Sequence, residues 1–224
     1  QQRSSAASDV YKRQTMEMFD ALYHEKQIKF IDVRDERTGT HMADGYARAS
    51  NQPGVIIAGQ NGPGATNLVT GLAQAKAAFS PVVSLAGLYS TKDKMEDAFQ
   101  GLDQQSLFEP VTKKTITLKN SKNIPNAISD GFNVAMSPRR GPVCINLPRN
   151  LLAEKNNYKI NEKIKSFKNT NNTQSNPNSI KRAAKLISNS SKGIIIVGGG
   201  IKYTSGFKPV IELAEYLNAV SYTH

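Results

Sequence analysis

Three features of the sequence predict an α/β fold, a parallel sheet with helices on both faces. Short apolar runs alternate with stretches of helical periodicity, the pattern that puts crossover helices between parallel strands. The run at residues 55–58 is apolar throughout and that at 82–86 is apolar but for Ser84, as strands covered on both sides require. Breaker chemistry, such as Asn51-Gln52-Pro53-Gly54, punctuates the elements.

Taken in order, Met16, Phe19, Ala21, Leu22 and Tyr23 give an amphipathic helix, with Thr15 as its cap and Glu17 in its first turn. A strand is predicted over residues 28–33, delivering Glu36 to the start of a helix at residues 38–50. Residues 55–58 form the next strand, a glycine loop follows, and a helix at 66–78 with a strand at 82–86 completes a strand, helix and strand unit. After a polar stretch at 89–105, residues 111–118 alternate as a strand near an edge, 125–136 are helical, and 142–147 form the last strand of a domain covering 15–153. Lys and Asn dominate residues 154–178, a linker composition. A helix at 179–187, a buried strand at 194–197 running into Gly198-Gly199-Gly200, and a helix at 207–217 open a second α/β domain at residues 179–220. Residues 1–14 and 221–224 read as non-native termini resembling translated adaptor sequence, and the absent initiator Met agrees with truncation.

Composition narrows the function classes. The 224 residues are 38% hydrophobic, enough for a sizeable core. No apolar run approaches the ~20 residues that span a bilayer, so no membrane partner is expected and the cytoplasm is the expected compartment. Cys144 lies inside an apolar run and reads as a small core residue, which fits a reducing compartment. The three histidines are scattered, and no set of metal ligands has zinc spacing. The net charge of +11 is unevenly spread, with 18 basic against 14 acidic residues up to 153 and 11 against 4 beyond. In that tail lysines alternate with asparagines and carry few interleaved aromatics, which suits a solvated linker better than a stacking platform for bases; no nucleic-acid partner is expected.

The chemistry concentrates at residues 34–67. An acid, Glu36, and a glycine loop, Gly62-Pro63-Gly64, stand at successive strand ends, where parallel sheets bind their ligands. Singly, each has a structural reading. Glu36 suits a helix dipole, the loop suits a tight turn, His41 a helix surface, and Asn67 a helix start. The loop is no Walker sequence, because no Lys-Ser/Thr follows, and it lacks the dinucleotide fingerprint.

Together the pieces carry a resemblance. Asp35-Glu36-Arg37-Thr38-Gly39-Thr40-His41-Met42-Ala43-Asp44-Gly45-Tyr46-Ala47-Arg48, followed by Gly59-Gln60-Asn61-Gly62-Pro63-Gly64-Ala65-Thr66-Asn67, is similar to the amino-terminal pyrimidine-binding domain of thiamine diphosphate-dependent enzymes, in the acetolactate synthase-like group. Ser80-Pro81-Val82-Val83, Ala98-Phe99-Gln100, Val111-Thr112-Lys113 and the run from Gly141 to Arg149 fall in family order, and Gly198 to Gly200 resembles the start of that family's central domain.

The resemblance implies a flavodoxin-like fold that binds thiamine diphosphate, and a 2-oxo acid decarboxylase or carboligase acting as a homodimer or homotetramer. It implies that Glu36 shares a proton with N1′ of the aminopyrimidine ring. Gln60, Asn61, Gly62, Pro63, Gly64 and Asn67 would line the cofactor, with His41 and Gln100 on the substrate side. Mg2+ would be bound by a carboxyl-terminal domain whose Gly-Asp-Gly motif this sequence lacks, so the fragment alone is expected to be inactive; FAD is a further candidate cofactor. Gln60-Asn61 replaces the Thr-Ser common in acetolactate synthases and is closer to sulfoacetaldehyde acetyltransferases, and Gly101 stands where the family often has an acid. A sulfoacetaldehyde acetyltransferase-like enzyme, or another thiamine diphosphate lyase, is the alternative within the class. A non-catalytic nucleotide-binding α/β module is the alternative outside it.

Overall fold

The computed structural model describes residues 15–157, 175–191, 193–203, 206–217 and 220–222. The chain divides into two units, Gln1–Asn171 and Asn172–His224. In the first, strands β1 (Gly54–Ile57), β2 (Val82–Leu88), β3 (Lys114–Thr117) and β4 (Val143–Pro148) form an all-parallel sheet in the order β1-β2-β4-β3. The helices of this unit are α1 (Met16–His24), α2 (Glu36–Ser50), α3 (Pro63–Ala77), α4 (Gln104–Phe108), α5 (Ile124–Met136) and α6 (Arg149–Leu152).

Strand alternation splits the core in two. Val82 and Ala86 of β2 and Cys144 of β4 point to one face, where Leu68, Leu72 and Ala75 of α3 and Phe108 of α4 cover them. Val83 and Leu85 of β2 and Val143, Ile145 and Leu147 of β4 point to the other, against Ala127 and Ala135 of α5. Both faces are covered as the continuous apolar runs predict, and β2 is buried at all seven positions. Burial pushes the Cys144 thiol up to about 12, so it remains a protonated core residue.

Several boundaries differ from expectation. Residues 28–33 form no strand, and Ile28, Phe30 and Ile31 are about half exposed. The segment lies across an open cleft from the unpaired edge of β1: the walls of this space, about 1170 Å³, include both Ile28 to Val33 and Val55 to Ile57. Apolar composition supports a strand only where a neighbouring edge is within hydrogen-bonding reach, and here the cleft intervenes. Glu36 is therefore delivered by irregular chain. Thr15 does not cap α1; its hydroxyl instead donates to the Gly59 carbonyl at 3.3 Å. Helix α3 begins at Pro63, because proline at the first helical position needs no N–H partner. The edge strand β3 begins only at Lys114, since Glu109–Val111 is a 3-10 turn.

In the second unit α7 (Pro177–Ser188) precedes β5 (Ile194–Ile196), a 3-10 turn at Gly199–Tyr203, α8 (Phe207–Tyr216) and β6 (Val220–Tyr222), with β5 and β6 paired in parallel. The strand predicted to be buried is exposed, Ile194 at 69% and Ile196 at 85%. Neither α7 nor α8 buries a residue against this two-stranded sheet. The predicted terminus at residues 1–14, linker residues 158–174 and residues 223–224 lie outside the described residues. Among the described residues no helix is long and apolar enough to cross a membrane.

Candidate active site

The candidate site forms where the chain leaves β1 and enters α3, opposite the first turn of α2. Asp35 caps α2: its carboxylate accepts the Arg37 N–H at 2.8 Å and the Arg37 guanidinium at 2.8–3.3 Å. Those hydrogen bonds hold the Asp35 carboxyl down to about 2. The cap fixes the first turn and so aims the next side chain, Glu36, across the gap at the glycine loop.

Glu36 is half-buried there. Asn67, one turn into α3, donates its Nδ2 to Glu36 Oε2 at 3.1 Å. The other oxygen, Oε1, faces bare backbone: a β-carbon on Gly64 would stand 3.1 Å from it, and one on Gly59 3.6 Å. No described side chain donates to Oε1, so one carboxylate oxygen is held while its twin is open to a ligand. Glu36 lines the cleft described above, together with Gly59 and Gln60.

The loop itself is strained into place. Gly62 has φ +54°, and a β-carbon there would meet Gln100 Cβ at 2.9 Å and its carbonyl at 3.0 Å. Gln60 Nε2 donates to Gln100 Oε1 at 2.5 Å, and Asn61, fully buried, donates Nδ2 to the carbonyls of Phe99 at 3.1 Å and Gln100 at 3.3 Å. Gln100 adopts φ +56° in a turn closed by the Gly101 N–H on the Ala98 carbonyl at 2.9 Å. Gly101 is obligatory in that turn, since a β-carbon would fall 1.8 Å from the Met95 carbonyl oxygen. The three departures from the family pattern, Gln60, Asn61 and Gly101, thus converge on one contact between the glycine loop and the 98–101 turn.

His41 lies exposed on α2, and no hydrogen bond ties it to Glu36, Gln60 or Gln100 among the described residues. The fold therefore unites Glu36, Gln60, Asn61, Gly62, Pro63, Gly64, Asn67 and Gln100, and leaves His41 outside that network. Sequence reasoning missed Gln104 and Asn146, two amides buried beneath the loop. The available signal for Gln104 was its position one helical turn before Phe108, which puts a polar group on the face that enters the core. Among the described residues no three His, Cys, Asp or Glu side chains gather as metal ligands.

A carboxylate with one oxygen open between glycines, near the carboxyl end of a parallel strand, stands where such sheets place their ligands and can accept a hydrogen bond from one. Residues 8–107 match the model of the thiamine pyrophosphate enzyme N-terminal TPP binding domain, and the chain belongs to that thiamine diphosphate-dependent family. Within it, the chain falls in the acetolactate synthase-like group. It is 39% identical over 203 residues, 89% of its length, to a Methanococcus aeolicus protein named "Probable acetolactate synthase large subunit", covering 34% of that relative. It is 35% identical over 205 residues to the acetolactate synthase isozyme 3 large subunit of Escherichia coli (strain K12), covering 91% of this chain and 36% of the relative. The acetolactate synthase large subunit of Buchnera aphidicola subsp. Schizaphis graminum is 34% identical over 207 residues, with the same coverage. The chain spans about a third of the length of these curated relatives.

The residues present suit the cofactor of this family. The open Glu36 oxygen can share a proton with a ring nitrogen, and the missing β-carbons of Gly59 and Gly64 leave room for a flat ring against the backbone. Lys29 and Arg34 also line the cleft, but among the described residues no salt bridge engages the Glu36 carboxylate, and Arg37 is engaged with Asp35.

Proposed function

We propose that this chain is the pyrimidine-binding part of a thiamine diphosphate-dependent carboligase, of the transferase or lyase type, that decarboxylates a 2-oxo acid. The observation that carries the reading is the division of labour on one carboxylate, with Glu36 Oε2 fixed by Asn67 and Oε1 presented between Gly59 and Gly64. When bound, thiamine diphosphate supplies the nucleophilic carbon and the electron sink that loss of CO2 requires. Glu36 would hold or release a proton at the pyrimidine N1′, with Asn67 fixing one of its carboxylate oxygens. Gly59 and Gly64 would admit the ring, while the Gln60 and Gln100 amides would present polar groups toward the substrate.

The remaining parts of the reading concern the whole protein. Mg2+ and the diphosphate would be held by a further domain, contributed by another subunit of a homodimer or homotetramer; among the described residues here no three His, Cys, Asp or Glu side chains gather as metal ligands. The second unit is the candidate seat of FAD, and the cytoplasm is the proposed compartment. The test is turnover of 2-oxo acids by the full-length protein with thiamine diphosphate and Mg2+, wild type against Glu36→Gln. A fall of roughly 10²–10⁴-fold is expected from loss of a positioned acid–base group. Equal rates would refute the role given to Glu36.

A further inference from the structure

Beneath the glycine loop lies a chain of side-chain amides and a hydroxyl to which the proposed function assigns no role. Gln104, 1% exposed, accepts the Gly62 N–H on Oε1 at 3.4 Å. Its Nε2 donates to the Gly87 carbonyl at 3.1 Å and to Asn146 Oδ1 at 3.0 Å, which uses both amide hydrogens. Asn146 in turn donates Nδ2 to Thr117 Oγ1 at 3.0 Å, and Thr117 donates to Gln105 Oε1 at 2.7 Å. One buried carboxamide therefore ties the loop to the carboxyl-terminal ends of β2, β4 and β3.

Gly62 has no side chain with which to cap α3 and holds φ +54°, so its conformation depends on what surrounds it. Two of those neighbours come from one short segment. Gln100 fills the space where a Gly62 β-carbon would be, and Gln104 takes the Gly62 N–H. Helix α4 is itself fixed by Asp103, whose carboxylate accepts the Ser106 N–H at 3.1 Å. Fully satisfied buried amide networks specify one arrangement, because each alternative leaves a polar group unpaired in the core.

We propose that Gln104 is a positioning residue of the cofactor site: its carboxamide sets the shape of the Gly62-Pro63-Gly64 loop and hence the seat of the pyrimidine ring against Glu36. The inference rests on the function proposed above. It assigns to α4, which carries no side chain on the open face of the site, control over how tightly the ring is held.

The test uses the full-length protein and calorimetric titration with two probes, thiamine diphosphate with Mg2+, and inorganic pyrophosphate with Mg2+, which lacks the pyrimidine. Gln104→Met keeps the length and removes the polar atoms. Phe108→Leu, one turn along α4 and fully buried, serves as a benchmark for packing damage in the same helix. Gln104→Met is expected to raise the Kd for thiamine diphosphate by about tenfold, the order that lost buried hydrogen bonds imply. Its Kd for pyrophosphate should stay at the wild-type value, and Phe108→Leu should lower Tm with both Kd values unchanged. If Gln104→Met does not fold, Thr117→Val, which cuts only the outer link of the network, carries the test with an expected rise of about threefold. An unchanged thiamine diphosphate Kd in the folded variant, or equal weakening of both probes, overturns the proposal. Failure of the wild type to bind thiamine diphosphate at all would instead bring down the functional reading on which it stands.

Discussion

Two segments flank Glu36, and they are held in opposite ways. On one side residues 59–67 are short, polar and glycine-rich, yet every turn is pinned: Asn61 by the carbonyls of Phe99 and Gln100, Gly62 by Gln104, Asn67 by Glu36 itself. On the other side residues 28–35 carry the apolar Ile28, Phe30, Ile31 and Val33, yet they pair with no strand and leave Ile28, Phe30 and Ile31 about half exposed along the cleft. Apolar composition did not confer order, and polar composition did not prevent it. What separates the segments is whether neighbouring groups satisfy their backbone and side-chain partners.

The largest expected effect sharpens this contrast through stability. Leu72 of α3 is fully buried in the core that backs the glycine loop, so Leu72→Ala should cost about 2–5 kcal/mol. Phe30 is 49% exposed and its ring meets only an edge-on Phe19 at 5.6 Å in the loose segment, so Phe30→Ala should cost less than about 1.5 kcal/mol despite the larger side chain removed. Urea unfolding of the full-length protein measures both. Equal losses would show that residues 28–35 are packed as firmly as the core.

A smaller effect probes the pinned side directly. Asn61→Ala removes the amide that holds the 98–101 turn to the loop and strands two carbonyls, at an expected cost of about 1–3 kcal/mol. Because Gln60 reaches Gln100 across the same contact, the variant should also speed amide exchange at Gly101 while leaving β2 and β4 protected. Uniform acceleration across the sheet would mean that the loop and the core open together, and the contrast between the two segments would lose its basis.

How much of this was legible in the sequence follows the same line. Residues 82–86 and 143–147 announced buried parallel strands because burial on both faces demands predominantly apolar runs, each here carrying a single polar residue, Ser84 and Asn146. Glu36 and the glycine loop were legible as a pair because strand ends and helix starts fix where ligands go. Residues 28–33 were misread because strand formation depends on an edge within reach, which local composition does not encode. Gln104 and Asn146 were hard to read for the converse reason: one sat in a polar stretch, marked only by its place one helical turn before Phe108, the other interrupted an apolar run, and only the packed sheet brings them together. His41, four residues before Gly45 on α2, shared the motif's sequence and fell on the exposed side of its helix.

The smallest expected effect tests the joint between the two segments. Asp35 ends the loose stretch and begins α2, and hydrogen bonds from the Arg37 guanidinium and backbone hold its carboxyl down from the ordinary 3.8 to about 2. A carboxyl depressed in the folded state contributes stability that is fully present above its unfolded value and is lost as pH falls through its folded value. The window is therefore between about pH 4 and pH 2. The group is solvent-exposed, so the consequence is local: the first turn of α2 should loosen in that window, and the orientation of Glu36 with it. Asp35→Asn keeps a capping oxygen for the Arg37 N–H and removes the titration. Amide exchange at Arg37 and Gly39, whose N–H donates to the Asp35 carbonyl at 3.0 Å, should accelerate on acidification in the wild type and stay level in the variant. Identical acid responses in the two proteins would show that the cap does not hold Glu36 in place, and would shift the anchoring of that acid entirely to Asn67.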